Sequence, residues 1–333
     1  MSEVVIRFQN VAKSFGHKTV LKDVTFEVRS GEVFGIIGMS GSGKTTLLNT
    51  LIGFLQPDYG DIRFRLEHLL EFEEDEETQY RSVFKNLDDV KRTFGFAAQT
   101  PSFYENLTPV ENLEYFGRMY GLSKDVRKTN ADILLHLMRL QSSKNVLAKN
   151  LSGGMQKRLD IACALIHDPK VLILDEPTAD LDPLLRREMW ELIKKINNKG
   201  TTILMASHFL DEIESLCDRV GILFDGVILK SGTPDELKNV YTHDEEIHIQ
   251  TSPGRYDLLI NYLKAQQKKL NITRIINKGH KLVIYTLSAE KVLHFLLHGI
   301  EKLDESLLDV YVNKPSLEEA FESLIKESRK KKD

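Results

Sequence analysis

The residues of this chain best placed to do chemistry are Gly38-Met39-Ser40-Gly41-Ser42-Gly43, followed directly by Lys44-Thr45-Thr46. Glycines at this spacing let the backbone bend around an anion, so that several N–H groups and a helix N-terminus converge on phosphate. Lys44 supplies a point charge for β- and γ-phosphates, and the Thr45 hydroxyl can ligate Mg²⁺. A second cluster, Leu151-Ser152-Gly153-Gly154-Met155-Gln156-Lys157-Arg158, repeats the theme: Ser152 can cap a helix whose glycines allow close approach of an anion. A third is Asp175-Glu176 behind the apolar run Val171 to Leu174. In a phosphate-loop protein an acid at a strand tip holds Mg²⁺, directly or through water, and the next carboxylate is placed to polarise an attacking water. His208 follows another apolar run, Thr201 to Ala206, where an imidazole can sense a γ-phosphate. Phe15 lies in the turn-like setting Lys13 to Gly16; an aromatic there can stack on a base, although a loop phenylalanine more often packs.

These residues need rigid elements behind them. Val33 to Ile37 has the length and composition of a buried strand, and Leu47, Leu48, Leu51, Ile52 and Leu55 fall at helical spacing. Strand, glycine-rich loop and helix in that order are the context a phosphate-binding loop requires. Val4 to Phe8 and Leu21 to Val28 read as strands, Ile62 to Phe64 and Thr93 to Ala97 as two more, and Val110 to Tyr120 and Ala131 to Leu140 as helices. The helix behind Ser152 reaches Ile166, and Val171 to Asp175 and Thr201 to Ala206 are buried strands. Between them Glu67 to Glu77 carries seven carboxylates and no lysine or arginine, which reads as a solvated excursion.

With 333 residues the chain has room for two domains, and its character changes at Tyr241. Beyond it Glu246 to Thr251, Arg255 to Leu270, Ile272 to Ile276, Lys281 to Leu287, Ala289 to Leu297 and Leu307 to Val312 read in the order βαββαβ, a ferredoxin-like unit, closed by a helix over Ser316 to Ile325. No catalytic constellation lies there, and the basic run Arg329 to Lys332 reads as a solvated end. A net charge of −4 argues against a general polyanion binder, so no nucleic-acid partner is expected. Cys163 and Cys217 lie in helical-looking segments and offer no disulfide framework, which suits a reducing cytosol. No apolar run approaches the roughly 18 residues needed to cross a bilayer. The opening MSEVVIRFQNV alternates like a strand and not like a leader.

Taken together, Gly38 to Thr46, Gln99, Leu151 to Gln156, Leu174 to Pro177, Leu181-Asp182 and His208 resemble the ABC-type ATPases in order and spacing. The resemblance covers roughly residues 3 to 235. It implies an α/β fold: a phosphate-loop domain over 1–240 with a mixed sheet core, an antiparallel β subdomain and a helical signature subdomain, followed by the small α+β unit at 241–333. It implies ATP and Mg²⁺ as ligands, held by Gly38 to Thr46, with Thr45, Gln99 and Asp175 around the metal. Phe15 would stack on adenine, Glu176 would be the catalytic base, Gln99 would touch Mg²⁺ and the lytic water, and His208 would be the switch histidine. Ser152, Gly153 and Gly154 would complete the site of a second ATPase domain, with Asp182 across the interface, so a homodimer or heterodimer is implied. Lys314 to Phe321 resembles the tail of exporter ATPases for drugs, lipids or polysaccharides, and implies a transmembrane permease partner and a place on the cytoplasmic face of the membrane. Asp180, where related sequences carry a small residue, and the long acidic stretch depart from the family pattern; neither bears on a phosphate ligand. A soluble ABC ATPase acting on DNA or ribosomes is the competing class; the lack of a coiled-coil insertion, a second ATPase half and a basic face argues against it. An uptake-system ATPase carries a different C-terminal domain, and Pro315 to Phe321 leans against that class.

Overall fold

The structure is a computed structural model that describes residues 3–65, 79–241, 245–313 and 316–330. The acidic stretch Glu67 to Glu77 lies outside the described residues. The chain divides into two compact units, Met1–Pro234 and Asp235–Asp333; helix α8 (Pro234–Tyr241) begins at this division, a few residues ahead of the change in character read at Tyr241.

The first unit is built on a ten-stranded sheet. Its centre is parallel: β3 (Val33–Ile37) lies between β8 (Thr202–Ser207) and β9 (Arg219–Phe224), and β7 (Val171–Asp175) and β6 (Phe94–Ala97) continue beyond β8. Every residue of β3, β7 and β8 is buried, as expected for parallel strands covered on both faces. Beyond β9 the sheet runs through β10 (Val227–Gly232) into an arm of β2 (Lys18–Arg29), β1 (Val4–Phe15), β4 (Tyr59–Arg65) and β5 (Tyr80–Ser82). Phe8 stacks on Phe26 at 4.1 Å, and Phe26 on Phe34 at 5.2 Å, so one aromatic column joins the arm to the central strand. Helix α1 (Lys44–Leu51) buries Leu47, Leu48 and Leu51 completely in the core shared by arm and parallel strands. Each of these side chains contributes about 2 kcal/mol of burial.

Around the edge strand β6 stand α2 (Leu87–Thr93) and the helical group α3 (Pro109–Met119), α4 (Lys124–Leu137) and α5 (Gly153–Leu165). Thr108 and Glu111 form a capping box on α3, and Ser123 caps α4 eight residues before Ala131, where the sequence reading begins it. The first strand also runs further than read. Asn10 has φ +50° and the β1–β2 register slips between Phe8 and Val11, which breaks the alternation that marks a strand. Phe15 is therefore the last residue of β1, paired with Lys18 across the turn Gly16-His17, and not a loop residue.

The second unit holds β11 (Glu245–Ser252), α9 (Tyr256–Lys264), β12 (Ile272–Asn277), β13 (Leu282–Thr286), α10 (Ala289–Lys302), β14 (Ser306–Asn313) and α11 (Leu317–Lys330). Its antiparallel sheet has the order β12-β13-β11-β14, the ferredoxin-like arrangement. Helices α9 and α10 supply Leu259, Leu263, Val292 and Leu296 to the core over Ile247, Ile249, Leu282 and Ile284. The structure ends α9 at Lys264, well before Leu270, because the run Gln266 to Lys269 has no apolar face and Asn271 turns the chain with φ +51°.

Candidate active site

The strand β3 ends at the glycine-rich loop, and the loop conformation follows from its residue types. Gly41 and Gly43 have φ of +76° and +106°, conformations that L side chains rarely adopt. At Gly38 a Cβ would lie 2.4 Å from Ser42 Oγ and 2.6 Å from the Leu223 carbonyl, so only glycine fits. Lys44 begins α1 and its side chain folds back over the loop, donating to the Gly38 carbonyl at 2.9 Å. Its ammonium lies 3.3 Å from Oε1 of Glu176. Lys44 and Glu176 are 7% and 6% exposed, so this pair is screened little by solvent.

Glu176 leaves the tip of β7 with φ +52° and donates its N–H to the Ala206 carbonyl on β8 at 2.9 Å. Its second oxygen, Oε2, lies 2.7 Å from Nδ1 of His208 and accepts the His208 backbone N–H at 3.3 Å. The preceding residue, Asp175, is almost wholly buried, and neither of its carboxylate oxygens is engaged by a hydrogen bond of ordinary geometry. Burial pushes its carboxyl up, the nearby Thr45 hydroxyl offsets this only in part, and the Glu176 charge pushes it further. Two orphaned, buried carboxylate oxygens near a hydroxyl fit a hard divalent cation, which takes oxygen ligands. Among the described residues no cluster of three or more His, Cys, Asp or Glu could hold a metal by itself. A buried carboxylate beside a hydroxyl suits a cation such as Mg²⁺, which retains waters and phosphate oxygens as ligands.

A cleft of about 570 Å³ is lined by Ser40, Gly41, Gly43, Lys44, Thr45, Thr46, Glu176 and His208, with Gln99 and Phe15 on its walls. Lys18 and Val20 of β2 line it too, and the sequence reading did not single them out. The half-exposed Phe15 ring carries the Lys13 ammonium 5.8 Å from its centroid. The Gln99 carbonyl accepts from Lys157 of α5 at 2.6 Å, and Asp160, one turn further along α5, accepts from Ser102 N and Oγ at 2.8 and 3.0 Å. Two side chains of one helix thus hold the loop that carries Gln99. Gly38, Met39 and Ser42 of the same loop are not among the lining residues, and Met39 is half exposed.

Ser152, Gly153 and Gly154 are not among the residues lining this cleft. Ser152 caps α5, its Oγ accepting from Met155 N, and a Cβ on Gly154 would come within 3.2 Å of Leu185 while one on Gly153 would meet nothing within 4 Å. Asp182 caps α6 (Pro183–Asn197), its Oδ1 accepting from Leu184 N and Leu185 N at 2.9 and 3.0 Å, and Asp180 is exposed with φ +64°. The sequence reading also missed Glu212, on α7 (Leu210–Leu216), which is fully buried and bonded to Thr178 and Ser207. Its signal was an acid on the face that also carries Ile213 and Leu216.

A mixed sheet with a parallel centre, a phosphate loop opening α1, and an acid pair and a histidine at the neighbouring strand tips define an ATP-binding cassette. Residues 21–179 match the ABC transporter family. The chain is 30% identical to the linearmycin resistance ATP-binding protein of Bacillus subtilis (strain 168), over 96% of this chain and 98% of that protein. It is 33% identical to the Nod factor export ATP-binding protein I of Rhizobium sp. (strain N33), over 96% and 97%. Among solved structures it resembles an ATP-binding subunit of an ABC transporter, with 30% identity and a TM-score of 0.61 over 71% of this chain and 93% of that one. It also resembles cbiO1 of Clostridium perfringens, part of the transporter complex cbiONQ, with 26% identity and a TM-score of 0.62 over 71% and 90%. The chain belongs to the family of ABC transporter ATP-binding proteins: it is an ATP-binding, ATP-hydrolysing subunit that works with a membrane permease. Among the described residues no helix is long and apolar enough to cross a membrane.

Proposed function

We propose that this chain is the cytoplasmic, membrane-peripheral ATPase of an exporter and hydrolyses Mg-ATP in the cleft between the glycine-rich loop and the tips of β7 and β8. The observation that carries the reading is the chain of contacts from Lys44 through Glu176 to His208, 3.3 and 2.7 Å long, inside a cleft also lined by Thr45 and Gln99. Backbone N–H groups of Gly38 to Thr46 and the Lys44 ammonium receive the phosphates, and Phe15 offers a ring to the base. Thr45 and Asp175 would hold Mg²⁺, with Gln99 beside them, and the bound ion would neutralise charge on the transferred phosphoryl group. Glu176 accepts the proton of the attacking water, and His208 orients that carboxylate and reads the γ-phosphate.

Because Ser152, Gly153 and Gly154 stand away from this cleft, they serve the nucleotide of a second ATPase domain, in a homodimer or heterodimer with Asp182 near the contact. Residues 1–240 form the nucleotide-binding domain and 241–333 an accessory domain. The names of the relatives, which export Nod factor or confer linearmycin resistance, support the direction of transport. Isolation of the chain from detergent-solubilised native membranes tests the reading. A multi-span permease that raises its ATPase rate is the expected companion, and co-isolation with ribosomes or DNA in its place would overturn it.

A further inference from the structure

Behind the cleft, a buried carboxylate joins the two strand tips that carry Glu176 and His208. Glu212 is wholly buried and does not line the cleft. Thr178, two residues beyond Glu176 in the turn leaving β7, donates from Oγ1 to Glu212 Oε1 at 2.9 Å. Ser207, the last residue of β8, donates from Oγ to Oε2 at 2.5 Å. Both donors are completely buried. Ser207 Oγ also accepts from Phe209 N at 3.1 Å, so this one hydroxyl grips the backbone on both sides of His208. Burial pushes the Glu212 carboxyl up, the two hydroxyls oppose this, and the Glu176 charge adds to the rise. An apolar side chain on this face of α7 would avoid that cost, and a core in need of glue alone gains little from a buried acid.

We infer that Glu212 is a positioning residue for hydrolysis: it fixes the tips of β7 and β8 at the relative height where Glu176 and His208 meet. The inference rests on the hydrolytic roles given above to Glu176 and His208. The Glu176 N–H to Ala206 carbonyl bond joins the tips at their base. Thr178 and Ser207 lie on the outgoing turn and beside the imidazole, so their common anchor on Glu212 sets the angle at which both side chains enter the cleft. A glutamine can replace it in this task, since its carbonyl accepts one hydroxyl and its amide can donate to the other, hydroxyls being donors and acceptors alike.

The test uses the full chain, with kcat and KM for Mg-ATP, ATP binding and thermal melting measured on the same preparations. Glu212→Ala should lower kcat by about 10- to 100-fold, the cost of misplacing a catalytic group by an ångström or less, with KM within about twofold. Glu212→Gln should restore kcat to within about threefold, and Thr178→Val, which removes one link and keeps the volume, should fall between the two. In the Glu176→Gln background, single-turnover hydrolysis should lose less than about twofold on adding Glu212→Ala, because the group being positioned has gone. A full additional loss in that background, or parallel falls in ATP binding, kcat and melting temperature that Gln fails to rescue, would reduce Glu212 to a core residue and overturn the inference. If Glu212→Ala does not fold, the Gln and Val variants and their combinations with Glu176→Gln decide the matter. Wild-type turnover by Glu176→Gln alone would be a separate failure, of the hydrolytic assignment, and would remove this inference with it.

Discussion

His208 Nδ1 lies 2.7 Å from Oε2 of Glu176, and the same oxygen also accepts the His208 backbone N–H. Two contacts from one residue fix both the distance and the direction of the carboxylate. They are available because β7 and β8 are parallel neighbours in register, Asp175 opposite Ala206, so the residues following each strand emerge side by side. The other oxygen is left facing the Lys44 ammonium. A carboxylate held this way is oriented by contacts to both of its oxygens.

Replacing Glu176 by Gln keeps size and hydrogen-bonding reach and removes basicity. Steady-state phosphate release should fall by about 10²–10⁴, the usual cost of losing a general base, while ATP still binds. Size-exclusion chromatography with and without Mg-ATP should show the variant shifting to a dimer only with nucleotide. Hydrolysis at the wild-type rate would remove Glu176 as the base.

Lys44→Ala removes the cation and leaves the loop glycines. ATP affinity and turnover should both be lost, because the ammonium points at the loop and not into the apolar core. The melting temperature should fall but the chain should still fold at assay temperature, since the change strips the buried Glu176 carboxylate of its cation and leaves its contact with His208. ATP binding by calorimetry, paired with a thermal melt, separates this outcome from simple unfolding.

His167 sits between α5 and β7, its ring stacked on Tyr120 at 3.7 Å and Nε2 3.2 Å from the Phe94 carbonyl. Burial depresses its pKa from 6.5 to about 4, against the smaller opposing effect of that carbonyl. The unfolded chain therefore takes up a proton that the folded chain refuses. Stability should fall as pH drops from 6.5 to about 4 and then level off. At about 1.4 kcal/mol per pKa unit the loss is up to about 3 kcal/mol. Denaturant unfolding of His167→Asn should show a shallower slope through this window; an identical slope would mean that the ring takes up its proton equally in the folded and unfolded chain.

In the second unit Glu305 accepts from Gly254 N, Arg255 N and Arg255 Nε, all within 3.0 Å. Burial alone would raise its carboxyl, but the Arg255 guanidinium and the two backbone donors hold it down, at about 2 instead of 4.5. Here the folded form stays ionised longer than the unfolded one, so its contribution is complete above pH 4.5 and disappears as pH falls towards 2. Glu305→Gln should destabilise this unit at neutral pH and match the wild type in acid, as read by amide exchange of the residues 245–313. A constant gap across that range would exclude the ionised state as the cause.

The parts of the site that could be read from the sequence are those written locally. Gly38 to Thr46 carries its own strand, turn and helix signals, and Asp175-Glu176 ends a run too apolar to be anything but a buried strand. Phe15 was misplaced in a loop because the slipped β1–β2 register hides the alternation of β1. The hairpin of β9 and β10 and the helices α6 and α7 carry no chemical motif to draw attention to them, although β9 is a neighbour of β3. Lys157 and Asp160 act through partners 58 residues away in the chain, and Glu212 ties its near neighbour Ser207 to Thr178, 34 residues before it. No spacing rule on one stretch can reveal such a pair. The acids at 67–77, the loudest feature of the composition, lie outside the described residues.

The left-handed backbone of Glu176, at φ +52°, sets two kinds of selection against each other. Glycine or asparagine would occupy that conformation with less strain, by about 1 kcal/mol for glycine. A population of variants sorted only for resistance to heat would therefore drift away from glutamate at position 176 and lose turnover as it became hardier. Position 176 is thus a place to hold fixed in any stabilised version of the protein, and a place where inactive relatives could gain robustness from a single replacement.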